Sequence, residues 1–401
     1  MVAGATGGVT QPLDGIAVPQ TVVVTGHFPP EPGGVQTFTW ELVRRLPADR
    51  VLVVAPYRRG AAAFDRSLPF PVLRRRGYLL TRDLRRLVDD AGASTGWITA
   101  LAPVGLYAPL LRAAGLTRVV ASTHGQELGW LRVGPTREAI RRMARVLDGL
   151  TYLTHYTRQR LETAIDRPEI LSQLAGGVDV DLFRPDPVVP RPRPGGGRPV
   201  VVSVSRLVRR KGHDVLLRAW PQVLAAVPGA RLVIVGVGPM AGRLAQAAAA
   251  PRLRGSVRLT GYLPRAEVAA RLAAADVFVL PCRDHRAGLQ TEGLGLAVLE
   301  ASAAGLPVVV GRSGGSVDSV VDGHTGLLTR AEDPAELAAH LTALLRDPER
   351  ARRMGEAGRR WVHANWTWAR SARRLAGVLA GPAGGDSPAA AAASRPTRSR
   401  C

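Results

Sequence analysis

The sequence predicts an α/β protein of two doubly wound, Rossmann-like domains facing each other across a cleft. Three observations predict it. Short β-branched apolar runs alternate with helical patterns along most of the chain. A Pro- and Gly-rich stretch at 191–199 interrupts that alternation near mid-length. The chain's 401 residues are enough for two cores of ordinary size.

Residues 1–19 are rich in Gly, Pro and Thr and are expected to be disordered. A first domain, 20–190, opens with a strand at 21–24 that runs into a loop carrying Gly33 and Gly34, then a helix at 37–46. Further strands are expected at 51–55, 97–100, 119–122 and 151–154. After the linker 191–199, a second domain, 200–362, repeats the scheme with strands at 200–204, 231–235, 257–260, 277–280 and 308–311. The pattern at 350–380 is helical and carries Trp361, Trp366 and Trp368, aromatic mass suited to docking a helix at 363–380 back onto the first domain. The Ala-, Pro-, Ser- and Arg-rich tail 381–401 is again expected to be disordered.

A formal charge of +22 makes the chain a strong attractor of anions, whether lipid, nucleic acid or phosphorylated substrate. No zinc-finger spacing or aromatic RNP-like run accompanies that charge, so nucleic acid is not an expected partner. Arginine supplies nearly all of it, as a GC-rich coding bias would, which makes the single lysine, Lys211, more informative. Only Cys282 and Cys401 are available, so a disulfide framework is not expected and the compartment reads as reducing. With no basic leader before Arg44 and no long apolar run, the expected location is cytoplasmic.

Chemistry-bearing residues gather where strands end. Arg206 and Lys211 follow the strand at 200–204, at the carboxyl edge of a parallel sheet, where ligands bind. Two fixed positive charges there suit a diphosphate that gains charge as it leaves. A solvated surface pair is the alternative, and it fits Arg206 better than the only lysine. Glu292 and Glu300 lie eight residues apart across a loop-to-helix junction containing Gly293, Leu294 and Gly295. The glycines permit close backbone approach and leave helix N–H groups for phosphate or sugar oxygens, while the carboxylates can accept hydrogen bonds from sugar hydroxyls. Gly236 and Gly238 end another strand, a weak signal alone, and Gly33–Gly34 offers backbone N–H groups to a phosphate. His124 follows a strand in the first domain and is expected to face Arg206 and Lys211 across the cleft. No metal-ligand spacing and no nucleophile elbow is visible.

Taken together, Phe28-Pro-Pro with Gly33-Gly34-Val-Gln36, Ala121-Ser-Thr-His-Gly, Arg206 to Lys211-Gly, Leu280-Pro-Cys-Arg283 and Glu292-Gly-Leu-Gly through Glu300 resemble the retaining GT-B glycosyltransferases of family 4. Within that family they look like the bacterial phosphatidylinositol-mannoside α-mannosyltransferases, and the likeness covers about 21–380. The resemblance implies a nucleotide sugar donor, GDP-mannose, with no further cofactor, and a mannosylated phosphatidylinositol acceptor reached at the inner face of the membrane. It assigns donor diphosphate contacts to Arg206, Lys211 and Gly34, sugar contact to Glu292 with Gly293 to Gly295, ribose contact to Glu300 and an active-site role to His124. It also implies front-side attack without a covalent intermediate. Two departures stand out: Gln126 where a second histidine is expected, and Gln290-Thr291 where those enzymes carry an acid. A hexosyltransferase using another donor such as UDP-glucose is the alternative, and a nucleic-acid or carbohydrate-binding module a remote one. For the membrane side, 78–88 and 137–147 read as basic amphipathic helices, the first with Leu80, Leu84, Leu87 and Val88 on one face and Arg82, Arg85 and Arg86 around it. The second carries Ile140, Met143 and Leu147 on its apolar face. The same pattern also suits ordinary helices covering a sheet.

Overall fold

The computed structural model describes residues 13, 15–31, 33–76, 81–186, 197–253, 255–285 and 290–381. Of the expected disordered ends and linker, residues 1–12, 14, 191–196 and 382–401 lie outside the described residues. So do Tyr78 and Leu80 and the side chains of Arg82 and Gln126.

Two sheets form the frame. Strands β1 (Thr21–Val24), β2 (Val51–Pro56), β3 (Val72–Arg75), β4 (Thr95–Ile98), β5 (Arg118–Ser122), β6 (Gly149–Tyr152) and β7 (Leu171–Gln173) make a seven-stranded sheet in the order β3-β2-β1-β4-β5-β6-β7. Strands β8 (Val200–Val204), β9 (Arg231–Val235), β10 (Val257–Gly261), β11 (Val277–Leu280), β12 (Val308–Gly311) and β13 (Gly326–Thr329) make a six-stranded sheet in the order β10-β9-β8-β11-β12-β13. Pairing is parallel from β1 to β6 and throughout the second sheet. Both orders reverse beside the first strand of the sheet, the doubly wound arrangement, which opens a crevice at the strand carboxyl ends between β1 and β4 and between β8 and β11. Central strands such as Thr21–Val24 are buried along their whole length, as expected for sheets covered on both faces.

The chain divides into two compact units. The first comprises Met1–Ser122, Met143–Thr151 and Ala372–Cys401; the second comprises Thr123–Arg142 and Tyr152–Ser371. In the first, buried polar groups are satisfied across strands: Trp97 Nε1 donates to Ser122 Oγ at 2.9 Å, and Thr151 Oγ1 donates to the same oxygen at 2.9 Å. Its last segment is anchored where Arg118 Nε donates to the carbonyl of Val378 at 3.0 Å, with Leu375 and Leu379 fully buried. In the second, Trp220, Leu216, Leu232, Val277 and Leu341 belong to one continuous core.

The helical pattern expected across 350–380 breaks into Pro348–Asn365 and Trp368–Ala380. Trp366 and Trp368 are buried in the second unit, where Val178 N donates to Trp366 O at 2.7 Å and Gly177 has no room for a Cβ against Trp368. What joins the first unit is the segment from Ala372, after the tryptophans.

The two basic amphipathic stretches form the helices Thr81–Asp90 and Gly134–Arg145. Their apolar residues Leu84, Leu87, Val88, Ile140, Met143 and Leu147 are all buried. These stripes cover protein core, as the alternative reading of ordinary helices covering a sheet has it. What the first helix presents outward is mixed charge, in the exposed Arg85 and Arg86 and the exposed Asp89 and Asp90 at its end. No helix among the described residues is long and apolar enough to cross a membrane.

Candidate functional site

A buried polar cluster follows β8 and β11, the two strands that flank the crevice of the second unit. After β8, the chain makes a short 3-10 turn, Arg209–Lys211, that ends at Gly212 with φ 71. A side chain at Gly212 would overlap the carbonyl oxygen of Pro281, so only glycine lets the turn pack against the loop after β11. That tight turn buries Lys211 to 8 % exposure and brings its Nζ to 2.6 Å from Glu292 Oε2. Arg210 Nη1 reaches the same oxygen at 2.6 Å. Glu292 is itself 7 % exposed. Burial pushes its carboxyl up, but the charges of Lys211 and then Arg210 outweigh that and leave the group below its ordinary value, hence ionised.

The same charges act on the neighbours. His213, the first residue of the helix His213–Ala226, is driven down to about 4 by burial and then by Lys211, so it is neutral. Cys282 is pushed up to about 12, by burial first and the Glu292 charge second, and remains a thiol. Arg206, by contrast, is exposed, and its guanidinium has no ion pair among the described residues. It adds a solvent-exposed cation, five residues before Lys211 in sequence, to a cluster in which two cations share the single carboxylate of Glu292.

The Glu292 loop is braced on two sides. Gly315 N donates to Glu292 O at 2.8 Å, and neither Gly314 nor Gly315 has room for a Cβ against the 291–293 backbone. On the other side, a Cβ at Gly293 would stand 3.1 Å from the carbonyl oxygen of His124, and one at Gly125 would stand 3.3 Å from the Gly293 Cα. The His124 loop therefore packs directly on the Gly293 loop inside the second unit. Glu127, 3 % exposed, accepts from His124 N at 3.0 Å and fixes that turn. His124 was expected to belong with 20–190; Thr123–Arg142 instead clusters with the second unit.

Gly295, with φ 83, caps the helix Leu296–Ala303, on which Glu300 lies one turn further along. Glu300 pairs with Arg265 Nη2 at 3.4 Å. Although a fifth of its side chain still meets solvent, desolvation raises its carboxyl to about 7; Arg265 opposes this and Asp179 adds to it. Glu292 and Glu300 thus differ in protonation near neutrality: one is held ionised, the other is poised to titrate. Leu294 is buried at 4 %. Gly236 and Gly238 are explained by packing, since side chains there would overlap the backbone of Ser205 and Leu207. In the first unit, Gly33 and Gly34 are exposed at the start of the helix Gly34–Val43, and a Cβ at Gly34 would meet open space.

Sequence reasoning missed Arg210. Within Arg209-Arg210-Lys211 nothing but the backbone of the turn decides which arginine aims at Glu292. It named Arg283 within a motif but gave it no role; the side chain, 5 % exposed, pairs with Asp214 at 3.0 Å and Glu332 at 3.0 Å. Among the described residues no group of three or more His, Cys, Asp or Glu is placed to hold a metal ion.

Comparison with known proteins shows the family. Residues 190–361 match the family model described as glycosyl transferases group 1, and residues 32–182 match that described as glycosyltransferase family 4. The chain is 42 % identical over 382 residues to a GDP-mannose-dependent α-(1-6)-phosphatidylinositol monomannoside mannosyltransferase of Mycolicibacterium smegmatis, covering 90 % of this chain and 98 % of that one. It is 36 % identical over 374 residues to a GDP-mannose-dependent monoacylated α-(1-6)-phosphatidylinositol monomannoside mannosyltransferase of Corynebacterium glutamicum, covering 90 % and 97 %. Among solved structures, Anabaena HepE in complex with UDP and glucose matches with a TM-score of 0.73 at 18 % identity, covering 89 % of this chain and 98 % of that one. Sucrose-phosphate synthase from Thermosynechococcus elongatus matches with a TM-score of 0.68 at 20 % identity, covering 89 % and 97 %. At such identities the structural likeness concerns the fold.

Proposed function

The chain belongs to the family 4 glycosyltransferases of GT-B fold, and from that premise we propose that it transfers mannose from GDP-mannose to a mannosylated phosphatidylinositol at the inner face of the cell membrane. The observation that carries the proposal is the buried Lys211, whose ammonium meets Glu292 at the carboxyl edge of the second sheet with the unpaired Arg206 nearby in sequence. The names and 36–42 % identities of the mannosyltransferase relatives support the choice of donor.

In this reading Arg206 and Lys211 hold the donor diphosphate, and Gly34 contributes backbone N–H. Glu292, kept ionised by Arg210 and Lys211, accepts hydrogen bonds from mannose hydroxyls more strongly than a neutral acid would. Gly293 to Gly295 bring backbone close to the sugar, and Glu300 accepts from the ribose. His124, seated on the Gly293 loop, lines the sugar site. The bond from the anomeric carbon to the diphosphate breaks as the acceptor oxygen bonds on the same face, giving retention. The acceptor proton passes to the departing phosphate oxygen, whose growing charge meets cations already in place. No cofactor is invoked beyond the nucleotide sugar. The acceptor lipid is met at an anionic surface, which the chain's net charge of +22 attracts, with Arg85 and Arg86 of the Thr81–Asp90 helix making local contacts that its exposed Asp89 and Asp90 partly offset.

The test is an incubation with GDP-mannose, UDP-glucose and a membrane lipid extract, with the product identified by mass, alongside calorimetric titration of GDP and UDP. The expected product is lipid heavier by one hexose from GDP-mannose alone. Equal or tighter binding of UDP than GDP would overturn the donor assignment.

A further inference from the structure

The second unit holds a cavity of about 570 Å³ lined by residues of the helices His213–Ala226 and Ala241–Ala248. Leu217, Leu244 and Leu253, each nearly fully buried, contribute apolar lining. Arg209, Arg218, Arg243 and Arg252 line it as well; all are exposed and none has an ion pair among the described residues. Arg283 also lines it but is already held by Asp214 and Glu332, each at 3.0 Å. Glu332 makes its contact from a left-handed backbone, φ 64, found at no other non-glycine among the described residues. Strain retained to place a carboxylate on a buried arginine marks this wall as held in a set shape.

Four exposed guanidinium groups without ion pairs among the described residues surround one concavity; Asp214 and Glu332 also line it but are engaged with Arg283, so the wall keeps an excess of positive charge and its cations repel one another. An anion entering the cavity removes the repulsion and gains from each arginine. Guanidinium forks match phosphate oxygens in geometry, with two parallel N–H donors per group. We propose that this cavity binds a phosphate-bearing anion of at least two negative charges, at a place separate from the donor site. Arg206, Lys211, Glu292 and Glu300, the residues assigned to the donor, do not line it. Arginine abundance alone accounts for surface residues such as Arg353 and Arg360, on the helix Pro348–Asn365. It does not account for convergence on a cavity.

The experiment compares three full-length proteins: the parent, Arg218→Gln/Arg243→Gln, and the surface control Arg353→Gln/Arg360→Gln, which removes equal charge elsewhere. Each is titrated calorimetrically with inorganic pyrophosphate in the presence of saturating GDP, and each is sedimented with vesicles containing phosphatidylinositol 4-phosphate, whose headgroup carries a phosphomonoester as well as the phosphodiester. The expected result is that the cavity variant loses on the order of tenfold affinity for at least one probe while the control keeps it. Loss toward pyrophosphate identifies a soluble phosphate ligand; loss toward vesicles alone identifies a lipid headgroup. Equal loss in both variants, or a cavity variant that binds both probes like the parent, would overturn the proposal.

Discussion

Replacing Lys211 by Ala removes a charge that the structure gives two tasks, holding Glu292 and, in the proposed reaction, holding the donor diphosphate. Breaking a buried pair by deleting one partner costs about 3–5 kcal/mol when the other is left alone. Here Glu292 keeps Arg210 at 2.6 Å, so the stability loss should fall to about 1–3 kcal/mol and the variant should still fold. The ligand loses one charge-assisted hydrogen bond, worth about 1.5–3 kcal/mol, which corresponds to roughly 10- to 150-fold in GDP affinity. Calorimetric titration with GDP measures the second effect and a thermal melt the first. A cycle with Glu292→Gln separates the tasks: if Lys211 served Glu292 alone, Lys211→Ala would have no further effect in the Glu292→Gln background. The expected outcome is that the loss of GDP affinity persists there. A GDP affinity within twofold of the parent, or a loss that disappears once Glu292→Gln is also present, would refute the assignment.

Glu300, raised to about 7 in the folded protein from an ordinary 4.5, binds its proton more tightly when folded. Its contribution therefore weakens stability as pH rises from 4.5 toward 7 and is constant above that, on the order of 3 kcal/mol at most, so Glu300→Gln should raise the melting temperature at pH 8 but hardly at pH 4. Because a ribose hydroxyl favours the ionised acceptor, GDP affinity should rise more steeply between pH 6 and 8 in the parent than in Glu300→Gln, where only the nucleotide's own terminal phosphate titrates; the same slope in both would remove the ribose role. Gly212→Ala should destabilise the second unit by about 3 kcal/mol or more in denaturant titration, since the new methyl meets the Pro281 carbonyl and the backbone is left-handed. Neutralising Arg82, Arg85 and Arg86 together should weaken cosedimentation with anionic vesicles, by about 1 kcal/mol per side chain at low salt, and leave GDP binding unchanged.

The sheet order explains which strands were legible in the sequence. The three that were not read, Val72–Arg75, Leu171–Gln173 and Gly326–Thr329, all stand at sheet edges. An edge strand has one neighbour and is free to be short or polar, as Leu-Ser-Gln and Val-Leu-Arg-Arg are, so the continuous apolar run that marks a central strand is missing. At the candidate site the sequence singled out the only lysine, Lys211, the acid Glu292 at a loop-to-helix junction and Gly295 at the helix start, and the structure brings Lys211 and Glu292 together. Arg210 was not singled out, because three consecutive cations carry no periodic signal and the turn before Gly212 alone selects which of them faces Glu292. Nor was the pairing of the His124 loop with the Gly293 loop, a contact between segments far apart in sequence that depends on two glycines lacking side chains.

The first unit draws its final segment from the very end of the described chain, with Arg118 bonded to Val378 and Gly149 packed against the same residue. During synthesis the ribosome must therefore deliver the whole intervening second unit before the first can close. Until then Val119 and Val120 wait in a sheet whose last covering piece has not been made. The usual order of biosynthesis, in which an N-terminal domain finishes early and protects itself, is unavailable here. A nascent chain stalled before Ala372 therefore leaves that sheet without its last covering piece, open to capture by chaperones or to aggregation.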